Sequence, residues 1–596
     1  MAALAAFLVT FPFTLPYVGG AIDTADRILD WGLFGLGFDL LFGFTGLLSF
    51  GQAAFYGVGG FVTAWLLVAN VTANAIPALV GGTLAAAIVG AVVGLLALRR
   101  AGIYFAMLTL AFGEMFYFLD LSPLATYTGG ENGLSNVPAP RLDFGLFAIT
   151  ASSQMALYWL LAALFFAGFW IALRITRSPF GAVLRAIRDN DERAAALGHD
   201  VPKYKLVVFT IAAAYGGLAG GLLGLLQGFM PPDAFYLATS GQLVVQTVIG
   251  GSATLVGPLV GAGVWLYLYT LLENVAGIGA LGTLILGLVF VALVTLFRGG
   301  LVGAGVVVWR RLAALPASPE EAVAERELPP TAMAAHTTPQ GEIVLEVSGI
   351  AKNFGGLVAV DNISFSLREG EVRAVIGPNG AGKSTFFGML AKLIPPSSGR
   401  IVFAGEDITR VNATEVCQRG IAKTFQINQL FSNLTVHENL MISALAREQG
   451  KFRAAMFRDV SRETGAARRV LDVADAVRLA GRLDAPASSL AYGEKRRLEI
   501  GLALATEPRV LLLDEPTAGM SPAERTETVQ LLRRIAQGMT IVIVEHDMDV
   551  VFGLAQRITV LFNGRVIAEG APETIQADAG VRAAYLGNPV PDEQPA

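Results

Sequence analysis

Apolar runs of bilayer-spanning length follow one another through the first half of the chain, near 2–20, 31–50, 52–70, 75–98, 101–120, 155–175, 205–229, 242–257, 258–273 and 278–297. Lipid offers no partner for backbone N–H and C=O groups, so runs of about 20 apolar residues fold as membrane helices. The two runs within 242–273 are short and broken by Gly-Gly and Gly-Pro, which also suits re-entrant hairpins, so about eight to ten helices are expected. Charged residues make up only 15% of the chain. That is well below the roughly 25% of soluble domains and argues against an ordinary soluble enzyme. The formal net charge of −5 argues against nucleic acid as a partner. Cys417 is the single cysteine, which excludes an intrachain disulfide. No Lys or Arg precedes the apolar run from Met1 to Phe13, so it reads as a first membrane segment rather than a cleaved signal.

Basic residues orient these runs. Arg174, Arg177, Arg185, Arg188, Arg193, Lys203 and Lys205 fill one loop, Arg99 and Arg100 mark another, and Arg298, Arg310 and Arg311 follow the last run. The long stretch 121–154 carries only Arg141. The positive-inside rule places the basic groups in the cytoplasm and 121–154 outside, and ten crossings leave both termini inside. A multi-pass protein of the cytoplasmic (inner) membrane is expected. Asp39 and Glu114 fall inside apolar runs, where a charge costs roughly 2.5–3.5 kcal/mol at the bilayer centre. Each either meets the ammonium of a substrate or makes an interhelical hydrogen bond.

The composition then changes. A polytopic α-helical membrane domain over 1–305 gives way to a linker rich in Ala, Pro and Glu over 306–342, read as flexible and cytoplasmic. Residues 343–590 alternate strand-like and helical stretches, as in an α/β domain with a largely parallel sheet, and 591–596 form a short tail. Within the α/β part, strand-like Val372–Ile376 runs into Gly377-Pro-Asn-Gly-Ala-Gly-Lys-Ser-Thr385 and then an apolar helical stretch. This is the full G-x-x-x-x-G-K-[ST] phosphate-binding loop in its strand–loop–helix setting, hence a P-loop nucleotide-binding domain. Gly377, Asn379, Gly380, Ala381 and Gly382 let successive N–H groups wrap the phosphates, and the helix opening near Thr385 adds a dipole that favours anions. Lys383 reaches the β- and γ-phosphates, and the Ser384 hydroxyl ligates Mg²⁺. Downstream, an apolar strand ends in Asp514-Glu515-Pro516. Asp514 serves the Mg²⁺ shell, and Glu515 polarises water as general base, a role worth about 10²–10⁴-fold.

The α/β part resembles the ATP-binding cassette (ABC) transporters. The resemblance rests on Leu490-Ala-Tyr-Gly-Glu-Lys-Arg-Arg497 at the family's signature, Lys423-Thr-Phe-Gln426 at its glutamine loop, Val544-Glu-His546-Asp at its histidine switch, and Phe354 at its adenine-stacking aromatic. It covers nearly all of 343–590 and implies an ABC-type domain that binds ATP with Mg²⁺. Gln426 then reaches the metal and the attacking water, and His546 the γ-phosphate. In a sandwich of two cassettes, Leu490, Ala491, Tyr492, Gly493 and Glu494 cap the ATP bound to the other cassette. Where the usual signature has Ser and Gly, this chain has Ala491 and Tyr492. His199, His336 and His437 read as ordinary surface or loop residues.

The membrane half resembles a permease subunit of the branched-chain (hydrophobic) amino-acid importers. Four stretches carry this: Leu41–Phe55, Gly102–Met115, Leu184–Gly198 and Val248–Pro258, with Tyr585-Leu-Gly587 of the cassette pointing the same way. The resemblance implies a natural fusion of one permease subunit with one ATPase subunit, hence an ATP hydrolase coupled to transport. It also implies a second permease/ATPase half, either a related chain or a second copy, and an extracytoplasmic substrate-binding protein that delivers an amino acid. Urea or short amides are the alternative cargo, and an exporter half-transporter the alternative direction. Leu184–Gly198, in the most basic loop, is expected to form a short amphipathic helix that docks beside Gln426; a juxtamembrane helix held by anionic lipid is its alternative.

Overall fold

The computed structural model of the chain describes residues 1–18, 21–143, 148–274, 280–297, 299–312, 341–426, 429–449, 457 and 464–586. Arg298, His336, Gly587, the tail 591–596 and most of the expected linker (313–340) lie outside the described residues. The chain divides into two units. One comprises 1–188 and 202–319, the other 189–201 and 320–596.

The first unit is helical. By length and composition, four described helices can cross a membrane: Ala75–Ala97, Ile103–Leu121, Gln154–Thr176 and Val201–Gln227. A fifth arises if the bent pair Leu284–Leu296 and Gly300–Trp309 counts as one span, and Ala2–Tyr17, Gln52–Val68 and Gly257–Leu272 are shorter apolar helices. The run expected at 31–50 is not one helix. A helix starts earlier, at Ile22, runs to Phe38 and widens into a π turn at Asp39–Gly43; the next begins only at Gln52. The early start takes in Asp23, Asp26, Arg27 and Asp30, charges that mask it in a hydropathy reading. Asp30 is buried and accepts a 2.6 Å hydrogen bond from the hydroxyl of Tyr56 on the neighbouring helix.

Small residues let the helices touch backbone to backbone, as expected where lipid removes the hydrophobic drive between them. A Cβ at Gly220 would lie 1.8 Å from the Tyr56 carbonyl oxygen, and one at Gly59 only 2.2 Å from the Gly217 Cα. In the stretch 121–154, Leu134–Ser135 pairs antiparallel with Phe229–Met230, and Arg141–Asp143 with Ala148–Thr150.

Asp39 resolves into a structural role. Fully buried, its carboxylate accepts the Ala253 N–H at 2.6 Å and the Leu255 N–H at 3.1 Å. Both residues sit in the loop between helices Leu237–Gly250 and Gly257–Asn274 with φ of +62° and +57°, which costs a residue with a Cβ roughly 1–2 kcal/mol each. Asp39 therefore fixes a strained turn by satisfying amides that lipid cannot reach. Glu114, by contrast, is half-buried on the helix Ile103–Leu121 and has no hydrogen bond among the described residues.

The second unit is α/β. A six-stranded sheet runs in the order Ile421–Lys423, Val510–Asp514, Thr540–Val544, Val372–Ile376, Arg557–Phe562 and Arg565–Gly570, parallel except for the last hairpin. An antiparallel sheet of Leu357–Arg368, Ile343–Phe354, Ser398–Phe403 and Glu406–Asp407 packs against it through Phe386, Phe387, Met389 and Leu390 of the helix that follows the phosphate loop. The central strands are buried at every position, so their carboxyl ends deliver Gly377, Glu515 and His546 to one edge.

Asp39→Leu leaves two buried amides without acceptors, at about 1–3 kcal/mol each, and should lower the unfolding midpoint of the detergent-purified chain sharply. Asp39→Asn keeps one acceptor and should lose about half as much; equal midpoints for all three chains would refute the role.

Candidate active site

The phosphate loop starts from strand Val372–Ile376 and turns at Gly377, where a Cβ would lie 2.1 Å from the Leu561 carbonyl oxygen. Gly382, at φ +95°, leaves the same lack of room beside Ala359. Asn379, Gly380 and Ser384 are exposed, Ala381 is buried, Thr385 is half-buried, and the helix Lys383–Leu390 follows. The Lys383 ammonium folds over its own loop, donating to the carbonyl oxygens of Gly377 at 2.7 Å and Pro378 at 2.9 Å. Burial pulls its pKa down, partly offset by Glu515 and Asp514.

Three expected catalytic side chains converge. Gln426 Nε2 donates to Glu515 Oε2 at 2.9 Å, and His546 Nε2 lies 3.0 Å from Glu515 Oε1. Glu515 has a left-handed backbone, φ +47°, and its N–H donates to the Val544 carbonyl oxygen at 2.8 Å. Asp514 is buried; its Oδ2 pairs with Lys423 Nζ at 3.0 Å, while Oδ1 has no hydrogen-bond partner among the described residues. That orphaned oxygen beside the phosphate loop suits a metal ion. No cluster of three or more His, Cys, Asp or Glu side chains exists among the described residues, so Mg²⁺ would need ligands from Ser384 and the nucleotide's own phosphates.

Signature residues stand apart. No hydrogen bond or ion pair among the described residues joins Leu490–Glu494 to Gly377–Thr385. Leu490 is buried, and Ala491 precedes the helix Tyr492–Ala505, with its N–H donating to Glu494 Oε2 at 2.9 Å. Tyr492 is half-exposed and donates its hydroxyl proton to the Ala518 carbonyl oxygen at 3.1 Å. The Gly493 N–H donates to Glu524 Oε1 at 3.0 Å. Phe354, at the end of its strand, is also half-exposed, with Lys352 Nζ 5.0 Å from its ring centre.

Residues that motif reading passed over hold this site together. Arg496 and Glu499, both buried, lie on the signature helix; Glu545, also buried, accepts the Thr517 N–H at 2.9 Å and its own neighbour His546's N–H at 2.9 Å. Glu499 carried a signal: it interrupts the apolar run Leu498–Ala505. The expected single helix over Leu184–Gly198 is two, Pro179–Asp189 and Asp191–Ala196. They divide at Asn190, whose side chain caps the second helix by accepting the Arg193 N–H at 2.8 Å.

Segment 189–201 packs with the cassette. Gln418 Nε2 donates to the Gly198 carbonyl oxygen at 2.7 Å, and Thr414 Oγ1 to that of Ala195 at 3.2 Å. His199 corrects the surface expectation: it is fully buried, with Nε2 2.9 Å from the Ile442 carbonyl oxygen. Gly198, at φ +99°, closes the preceding turn so that His199 points inward. His437 is half-buried.

Burial pushes the His199 pKa down from 6.5 to about 4, so the packed ring is neutral. Unfolded chains bind the extra proton below pH 6.5, so this packing keeps its full stability above that pH. It loses roughly 3 kcal/mol as the pH falls to about 4. Hydrogen exchange over 191–199 should therefore accelerate between pH 6.5 and 4 beyond its intrinsic pH dependence. His199→Phe should remove that excess; a variant that retains it would exclude His199 as the source.

Three family models match the chain. One described as "Branched-chain amino acid transport system / permease component" matches residues 21–294, "ABC transporter" matches 360–518, and "Branched-chain amino acid ATP-binding cassette transporter" matches 565–590. The high-affinity branched-chain amino acid transport ATP-binding protein BraF of Pseudomonas aeruginosa is 36% identical over 41% of this chain and 98% of its own length. Its counterpart LivG of Salmonella typhimurium is 37% identical, again over 41% and 98%. Among solved structures, a nucleotide-free ATP-binding cassette from an ABC transporter is 30% identical over 41% of this chain and 99% of that one, with a TM-score of 0.37.

Proposed function

The chain belongs to the branched-chain amino-acid ABC transport family, with permease and ATP-binding parts in one polypeptide, and from that premise we propose that it drives uptake of branched-chain or other hydrophobic amino acids across the cytoplasmic membrane. The observation that carries the reading is the meeting of Gln426, Glu515 and His546 within 3.0 Å at the strand ends beside the phosphate loop. ATP binding replaces the Gly377 and Pro378 carbonyls as the partners of Lys383, and Phe354 stacks on the adenine. Glu515 takes the proton of the attacking water, which Gln426 orients, while His546 holds Glu515 and contacts the γ-phosphate. Ser384, Asp514 and Gln426 would hold Mg²⁺, which would neutralise phosphate charge. The signature Leu490–Glu494, with Ala491 and Tyr492 exposed, caps the ATP of a second permease/ATPase half, a related chain or else a second copy. The ATPase part and both termini lie in the cytoplasm, and a separate extracytoplasmic protein delivers the cargo.

In the membrane unit, an open cavity of about 760 Å³ has room for an apolar side chain. Leu47, Leu48, Phe50, Phe105, Met107 and Leu237 line it, a surface that suits an apolar side chain and offers no polar side chain to the ammonium or carboxylate of an amino acid. Non-helical backbone at 44–51 borders it, as is common where membrane helices break around a transport path.

Cells carrying Glu515→Gln should lose leucine, isoleucine and valine uptake by about 10²-fold or more, with urea uptake unchanged. Loss of urea uptake alone would replace the cargo, and intact uptake of everything would favour export. Coupling has its own test. A Cβ at Gly198 meets Cys417 Sγ and Gln418 Cγ at 3.4 Å on a backbone that L-residues resist. Gly198→Val combined with Ala195→Leu should cut uptake per ATP hydrolysed about tenfold; full coupling would refute transmission through this segment.

A further inference from the structure

Buried positive charge is concentrated where segment 189–201 meets the catalytic loops. The Arg496 guanidinium, 1% exposed, donates through Nη1 to the carbonyl oxygens of Phe425 and Gln426, the latter at 3.5 Å. Through Nη2 it donates to those of Asp514 and Glu515, the latter at 2.6 Å, and through Nε to that of Pro516 at 3.3 Å. Its charge partner is Glu499 at 3.2 Å, whose other oxygen accepts the Phe425 N–H at 2.6 Å. Arg193 comes in from the other side. Its guanidinium carbon sits 4.9 Å from the Phe425 ring centre, and Nη1 lies 3.5 Å from the Lys423 carbonyl oxygen. Arg193 is itself fully buried, and its Nε and Nη2 have no hydrogen-bond partner among the described residues.

A buried guanidinium with orphaned donors costs several kcal/mol, so Arg193 is a poor choice for packing alone. The planar fork of Arg496 matters in the same way: a lysine offers one point charge and cannot span five carbonyls on two loops. The loop that ends in Gln426 and the turn that carries Glu515 have no sequence continuity, and Arg496 binds the backbone of both.

We propose that Arg496 is a positioning residue for ATP hydrolysis, tying the Phe425–Gln426 backbone to the Asp514–Pro516 backbone and so setting where Gln426 meets Glu515, and that Arg193 bears on this tie by stacking on Phe425. Movement of segment 189–201 then reaches the water-activating carboxylate through one ring and one guanidinium. The inference rests on the reading of Glu515 as general base.

The test uses the full-length chain in nanodiscs, together with its partner half if that half is a distinct chain. Affinity for a fluorescent ATP analogue without Mg²⁺ is compared with kcat and KM for Mg²⁺-ATP hydrolysis. Arg496→Lys should lower kcat about 10²-fold, the usual effect of misplacing a catalytic group by 1 Å, with analogue affinity held within about twofold. Arg193→Leu should lower kcat less, and the double variant should fall short of the product of the two, because both act through Phe425. Unchanged kcat in Arg496→Lys, a parallel loss of affinity, or strictly multiplicative effects would each overturn the proposal. If Arg496→Lys does not fold, Glu499→Gln takes its place: it keeps an acceptor for the Phe425 N–H but removes the charge held by Arg496, and the same split is expected. Glu515→Gln separates the two readings. If it still hydrolyses ATP, the general-base assignment fails; if it is silent while Arg496→Lys is normal, only the tie fails.

Discussion

Backbone groups with no access to water govern both halves of this chain. In lipid or in a packed sheet, an amide or carbonyl without a partner costs on the order of a lost hydrogen bond, so each irregular stretch must find one. The membrane unit answers with side chains at its breaks. Asp39 satisfies two amides of a left-handed turn, and Ser240 accepts the Ala53 N–H at 2.9 Å where a helix restarts after the break at 44–51. The cassette answers with Arg496, which gathers five carbonyls from two loops. The phosphate loop differs in kind: Asn379, Gly380 and Ser384 remain exposed at its rim, as a loop must be if its amides are to take an anion.

Charge follows the same rule. Asp30 is held by a Tyr56 hydroxyl, and Arg193 lies against an aromatic face. None of these charges belongs to a surface ion pair of the kind worth less than about 1 kcal/mol. Asp30 lies within the helix Ile22–Phe38 and Arg193 within Asp191–Ala196, so removal of either would change how its helix packs as well as its energy.

Much of this was legible in the residues. The phosphate loop, Asp514-Glu515 and His546 each follow an apolar strand, and strand ends at one sheet edge must lie close together. The membrane half was legible as helices but not as their limits. Asp26 and Asp30 interrupt the apolar pattern at a point where the structure simply buries them, so the helix Ile22–Phe38 was placed too late. Asn190 gives no sign of a break because a cap residue looks like an ordinary polar position inside an amphipathic stretch. His199 and Arg193 were out of reach for another reason: their partners Ile442 and Phe425 lie more than two hundred residues away, and a single chain carries no local sign of such contacts.

Glu515 shows why the rest could not be local. A φ of +47° costs a non-glycine residue roughly 1–2 kcal/mol, and nothing in Asp-Glu-Pro-Thr repays it. The conformation persists because the Glu515 N–H is held by Val544, its carbonyl by Arg496, and the next turn by Glu545 through Thr517. These anchors come from two elements outside the turn, the signature helix and the end of the strand Thr540–Val544, so the direction of the carboxylate is a property of the packed cassette and not of its motif. A carboxylate aimed by such distant anchors is sensitive to small shifts in any of them, and Arg496 also binds the loop of Phe425, on which Arg193 of segment 189–201 stacks. Strain at the catalytic turn and control from a distant helix are therefore two consequences of the same arrangement.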